Sequence, residues 1–238
     1  MKIATKVLRQ FLLFLSVMTL QTAFGAKYSI NVADFSRLSV DNGVKVIYSC
    51  VPDSAGFVVF DCEPDLASKI ILMNNKSTLR VQVDIDESLP TGLPVVKAYS
   101  STLSAVSNSG DSLVVVNLAT PCDRFVAKVI GNGAIEVKGI NAGRTDANVT
   151  AGRGYIKLDG KSDKVKLFIA GTGHIEARNL DAREVYSKSF GPGKVVCNPS
   201  SKLYVAGLNG RIYYVTEPEE ISRRGMGVKA LPLDSIND

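Results

Sequence analysis

The sequence predicts an all-β protein, with an N-terminal antiparallel β region leading into a parallel β-helix (solenoid) of about 20 residues per coil. Three observations carry that reading. First, one phrase recurs: Gly131-Asn132-Gly133, Gly152-Arg153-Gly154, Gly171-Thr172-Gly173 and Gly191-Pro192-Gly193, then the looser Gly207-Leu208-Asn209-Gly210, each followed by a short alternating strand. The last glycines of successive copies lie 21, 19, 20 and 17 residues apart, a period suited to one solenoid coil per repeat. Second, stacking the copies aligns Ile135, Ile156, Ile175, Val195 and Ile212, and two residues on Val137, Leu158, Ala177, Cys197 and Tyr214. Alternation puts both columns on one side, facing a core. Third, no segment shows a sustained helical period. A β-sandwich also turns every 8–12 residues, but it does not require the same turn dipeptide at equal intervals.

The elements follow in chain order. Residues 1–25 read as a signal peptide: Lys2, Lys6 and Arg9 precede the apolar run Phe11 to Leu20, and Ala23-Phe24-Gly25 offers small residues to a peptidase, placing cleavage near Gly25-Ala26. That run is about 15 Å long as a helix, too short for a hydrocarbon core of about 30 Å. An exported protein, periplasmic or at the cell surface, is the expectation, with no transmembrane segment after the leader. Residues 26–97 form the N-terminal β region, with a turn at Asn42-Gly43, a hairpin around Asn74-Asn75-Lys76-Ser77, and the loop Pro52 to Gly56 between further strands. Prolines and a glycine in residues 86–94 mark the passage to the repeats, residues 98–216, of which Ser109-Gly110-Asp111 looks like a degenerate first copy. Residues 217–238 are read as a tail, packed as an irregular cap. Between the inward columns, Glu136, Lys157 and Glu176 face outward on neighbouring coils, where opposite charges would pair.

Composition limits the function. The formal charge is +5, but removal of the leader's three cations lowers it to +2, a poor match to nucleic acid. One histidine and four dispersed cysteines supply neither zinc-finger spacing nor a Cys/His nucleophile. Export permits disulfides, yet Cys50, Cys62, Cys122 and Cys197 allow three connectivities, and each also reads as a small buried hydrophobe. If Pro52–Gly56 closed a hairpin, Cys50 would face Val58 and Val46 would face Cys62, out of register for a bridge. Asp111, Asp123, Asp146, Asp159, Asp163 and Asp181 fall at different phases of the period, mostly in turns. They give neither a converging acid pair nor the calcium-binding nonapeptide ladder. No cofactor or metal is expected, and His174, outward after Gly173, reads as a solvated side chain. Tyr155, Phe190, Tyr204 and Tyr213 are the candidates for a ligand face, since aromatic faces suit sugar rings and other amphipathic partners.

Phe35-Ser36-Arg37-Leu38, Gly43-Val44-Lys45-Val46, Thr78-Leu79-Arg80-Val81 and the Gly-x-Gly repeats ending at Ile212-Tyr213-Tyr214 resemble one family over about residues 34–220. It is the secreted family described as "putative autotransporter adhesin, head GIN domain", common in Gram-negative gut bacteria. The resemblance implies a right-handed parallel β-helix portion and an exported protein, and brings no catalytic residues with it. The lipid-anchoring cysteine of many members is absent here. The reading is a secreted, non-enzymatic β-solenoid, adhesin-like or otherwise binding the cell envelope, whose partner is a glycan or an envelope or host-surface protein. The alternatives are a carbohydrate-active lyase or hydrolase on the same scaffold, and a purely structural envelope protein.

Overall fold

A computed structural model of the chain describes residues 25–85, 88 and 91–236. Residues 1–24 of the expected leader, and part of the proline-containing passage at 86–94, lie outside the described residues. The antiparallel region and the solenoid are both present, and all the strands belong to one mixed sheet. The N-terminal strands are β1 (Ala26–Asn31), β2 (Arg37–Val40), β3 (Val46–Cys50), β4 (Phe57–Cys62), β5 (Ile70–Asn75), β6 (Thr78–Val83) and β7 (Val96–Ser100). Then come β8 (Ala105–Asn108), β9 (Leu113–Asn117), β10 (Cys122–Ile130), β11 (Ala134–Thr150), β12 (Tyr155–Ala170), β13 (His174–Phe190) and β14 (Lys194–Leu208). The last three are β15 (Arg211–Tyr214), β16 (Glu220–Met226) and β17 (Lys229–Pro232). The pairs β1–β4, β4–β7 and β5–β6 are antiparallel; the solenoid pairs are parallel. A short α-helical turn, Pro64–Ser68, and a 3-10 turn, Pro52–Ser54, interrupt the strands, each with proline in its first turn, where a missing N–H costs nothing.

Each long strand serves two coils. Register slips between Val137 and Ile140, Lys157 and Asp159, and Ala177 and Asp181, so the chain bends. The half after one Gly-x-Gly corner forms one face, and the half before the next corner forms another. The inward column is as the period predicts: Ile135 lies beside Ile156, Ile156 beside Ile175, Ile175 beside Val195 and Val195 beside Ile212, all fully buried.

The column continues beyond the repeats that the glycines mark. Val114 lies beside Ile135, Val46 beside Val114 and Val96 beside Val46, so four N-terminal strands extend the parallel stack. Their order is not the chain order. The β2–β3 rung sits between β6–β7 on one side and β8–β9 on the other. Asn42-Gly43, with φ of 60° and 83°, is therefore a coil corner rather than the tip of a hairpin between its flanking strands. The hairpin expected around Asn74–Ser77 does form, with Asn75 opposite Thr78 and positive φ at both Lys76 and Ser77.

One further expectation is corrected, and one open alternative is resolved. The segment after Glu217 is not an irregular cap: β16 lies in register beside β14 and β17 beside β15, adding another coil with Ala230 at the end of the inward column. The Pro52–Gly56 loop does not close a hairpin either, because β7 lies between β3 and β4, pairing Cys50 with Ser100 and Phe57 with Tyr99. Cys50, Cys62, Cys122 and Cys197 are free thiols.

Candidate functional site

The half-strands that precede the glycine corners form a broad outward face across β10 to β14 and β16. Parallel in-register pairing aligns its side chains in columns, because residues two apart along a strand point the same way. The column bordering the corner runs Ile130, Thr150, Ala170, Phe190, Leu208, Met226. Its large members are exposed, by 40% at Ile130, 47% at Phe190, 50% at Leu208 and 77% at Met226. The next column is Lys128, Asn148, Phe168, Lys188, Ala206, Arg224, and the one beyond it Val126, Asp146, Lys166, Tyr186, Tyr204, Ser222. Rings from adjacent columns and coils approach each other: the Phe168 and Phe190 centroids are 6.1 Å apart, as are those of Tyr186 and Tyr204. Between them lies an open groove of about 450 Å3, lined by Arg124, Arg144, Lys166, Phe168, Tyr186, Lys188 and Tyr204 among others.

The acids on this face are already engaged. Asp146, nearly buried, accepts hydrogen bonds from Arg124 Nε and Arg144 Nε, each 2.8 Å. Glu184 accepts from the Tyr186 hydroxyl at 3.0 Å and lies beside Lys164 and Arg183. The Tyr186 hydrogen bond, with those two cations, holds its carboxyl below the usual range. Glu220 pairs with Lys202 at 3.0 Å. Lys128, Lys188 and Arg224 share a column that holds no carboxylate, so cations dominate the border of the groove.

The structure divides the four aromatic candidates between two faces. Phe190 and Tyr204 stand on the face just described. Tyr155 lies on the half-strands that follow the corners, its ring 5.5 Å from that of His174. Tyr213 is 8% exposed, with Lys194 Nζ 5.1 Å from its ring centroid. The sequence reading missed Phe168, Tyr186 and the corner column, because it stacked only the strands that follow Gly-x-Gly. Stacking the residues that precede each first glycine would have brought Phe168 and Tyr186 forward beside Phe190, but Leu208 follows its copy's first glycine and Met226 follows the last copy, so register alone places them.

On the second face, His174 is not simply solvated: its Nε2 lies 3.5 Å from Glu176 Oε2. Arg178 grips both oxygens of Glu176, Nε to Oε1 and Nη2 to Oε2, each at 2.8 Å. Burial pushes the Glu176 carboxyl up, but the hydrogen bonds from His174 and Arg178 outweigh it and bring it to about 2. Lys157 stands in register between Glu136 and Glu176, as expected, yet Glu176 turns to His174 and Arg178 instead. A carboxylate held this way serves as an anchor for its neighbours, not as a proton acceptor at neutral pH.

A family model described as "Putative auto-transporter adhesin, head GIN domain" matches residues 34–218. No curated protein matches the chain. Among solved structures, a putative adhesin from Bacteroides fragilis is 22% identical, covers 87% of this chain and 95% of its own, and superposes with a TM-score of 0.79. A putative lipid binding protein from Parabacteroides distasonis is 18% identical over 89% of this chain and 98% of its own, with a TM-score of 0.66. A putative adhesin from Parabacteroides merdae is 16% identical over 89% and 97%, with a TM-score of 0.63. These likenesses establish the fold.

Proposed function

Because the chain belongs to the "Putative auto-transporter adhesin, head GIN domain" family, we propose that it is an exported, non-enzymatic, adhesin-like protein that binds a surface component of a cell envelope. The contact surface is the outward face of β10 to β14 and β16. The observation that carries this reading is the alignment of exposed apolar and aromatic side chains with cations on that one face, where a solvated solenoid needs only polar residues. The leader-like composition of residues 1–25 supports export. A binding role without chemistry is supported by the state of three acids on the two outward faces: Asp146, Glu184 and Glu176 are each held by cations or hydroxyls.

The test uses fluorescently labelled protein and isolated Gram-negative envelopes, comparing wild type with a Phe190→Ser, Tyr204→Ser double variant. The variant should bind at least about tenfold more weakly, the loss of two aromatic contacts. Equal binding by the two proteins, at equal unfolding midpoints, would remove this face from the function.

A further inference from the structure

The order of the columns on this face identifies the partner more closely. We propose, resting on the binding role above, that the face docks on an anionic phospholipid bilayer. The corner column enters the headgroup boundary, and the cations beside it contact lipid phosphates. Phe190, Leu208 and Met226 form a ridge on three successive coils at the edge of the solenoid, and Ile130 extends the same column beyond Thr150 and Ala170, for a span of about 24 Å at about 4.8 Å per coil. Alternation along a strand does not require apolar residues there, and four large exposed ones in one register column are costly in water.

Lys128, Lys188 and Arg224 occupy the adjacent column, which holds no carboxylate. The acids of the face lie farther from the ridge, and each is paired: Asp146 with two arginines, Glu184 with Lys164 and Arg183, Glu220 with Lys202. Moving away from the corner, the surface thus passes from apolar, to cations that have no ion pair among the described residues, to neutralised pairs. A bilayer interface presents hydrocarbon, phosphate and water in that same order. A soluble acidic glycan could use the rings and the cations, but it offers nothing to the aliphatic side chains of Ile130, Leu208 and Met226.

The protein has no tryptophan, so Leu208→Trp places a single reporter on the ridge, and Lys161→Trp places one on the exposed bend away from it. Both are titrated with vesicles of equimolar phosphatidylcholine and phosphatidylglycerol, with phosphatidylcholine alone, and with soluble polygalacturonate. The L208W emission should shift to the blue only with the anionic vesicles, and K161W should not respond. Lys188→Gln with Arg224→Gln, in the L208W background, should weaken the response about 30-fold, two surface cations' worth. The readout is local, so attachment through any other segment does not register. An unshifted L208W emission, or an equal shift in K161W, overturns the lipid proposal. If polygalacturonate then binds, measured by calorimetry, and the K188Q/R224Q change abolishes it, the face binds glycan and the adhesin-like role stands. If the envelope test also fails, that role falls with it.

Discussion

Ile175 illustrates how little freedom an inward position has. It is fully buried between Ile156 and Val195 on adjacent coils. Ile175→Ala should cost about 2–5 kcal/mol in denaturant unfolding, from lost transfer energy and the cavity left behind. Thr172→Ala should cost at most about 1 kcal/mol, since Thr172 is exposed and donates one hydrogen bond, to Gly152 O at 3.1 Å. If the two variants unfold alike, the inward column is wrong. The glycines of the same corner divide their duties. Gly171 has a φ of +124°, so a side chain there is strained by conformation. Gly173 is not left-handed; a Cβ would instead sit 2.5 Å from Val149 Cγ1 and 2.7 Å from the Gly154 carbonyl oxygen. Ser187 shows the opposite case: its buried hydroxyl lacks a partner, so Ser187→Ala should raise stability by about 1 kcal/mol. For Glu176, the folded carboxyl titrates at about 2, below its ordinary 4.5, so its contribution is complete above pH 4.5 and fades as pH falls toward 2. Glu176→Gln should cost about 1 kcal/mol at neutral pH after solvent screening, with the gap to wild type closing across that acid range. A gap independent of pH would show that the His174 and Arg178 contacts do not depend on the charge.

At the scale of elements, the two ends of the stack are finished differently. The β6–β7 rung is covered by the antiparallel strands β5 and β4, and β1 covers β4 in turn. At the other end β16 and β17 are edge strands, which are liable to pair with another chain. Arg223 lies in register with buried Val205, on an inward position, and donates from Nη2 to the Ala230 carbonyl oxygen at 3.3 Å. An inward charge on the last coil makes further stacking unfavourable, because a next coil would bury it. Arg223→Val should therefore promote self-association, seen as a rise in sedimentation coefficient with concentration. A monomer indistinguishable from wild type at every concentration would assign edge protection elsewhere. The same edge geometry explains why the polar composition after Glu217 misleads as to structure: an end coil is solvated on one whole side, so it needs few apolar residues to keep strand pairing.

At the scale of the whole molecule, the threading of the N-terminal strands makes one cooperative body. Removing residues 26–97 would strip β8 and β9 of β2 and β3, exposing Val106, Val114 and Val116 at a new edge. A single unfolding transition, coincident by calorimetry and circular dichroism, is expected for the intact chain, and a 98–238 fragment should aggregate. A stable, soluble fragment with native-like melting would show that the repeats are independent of the first coils. The coil was legible in the amino acids alone: its length, its glycine corners and which residues point inward. Those features are local and recur, so each copy tests the others, as the column from Ile135 to Ile212 does. The placing of β2–β3 between β6–β7 and β8–β9 came from the folded chain, because every rung offers the same alternating apolar edge and the pattern does not say which neighbour takes it. Only the structure likewise brought Phe190 and Tyr204 together with Phe168, Tyr186 and the exposed corner column while leaving Tyr155 and Tyr213 elsewhere. Outward positions face water, so no packing constraint imprints their grouping on the sequence.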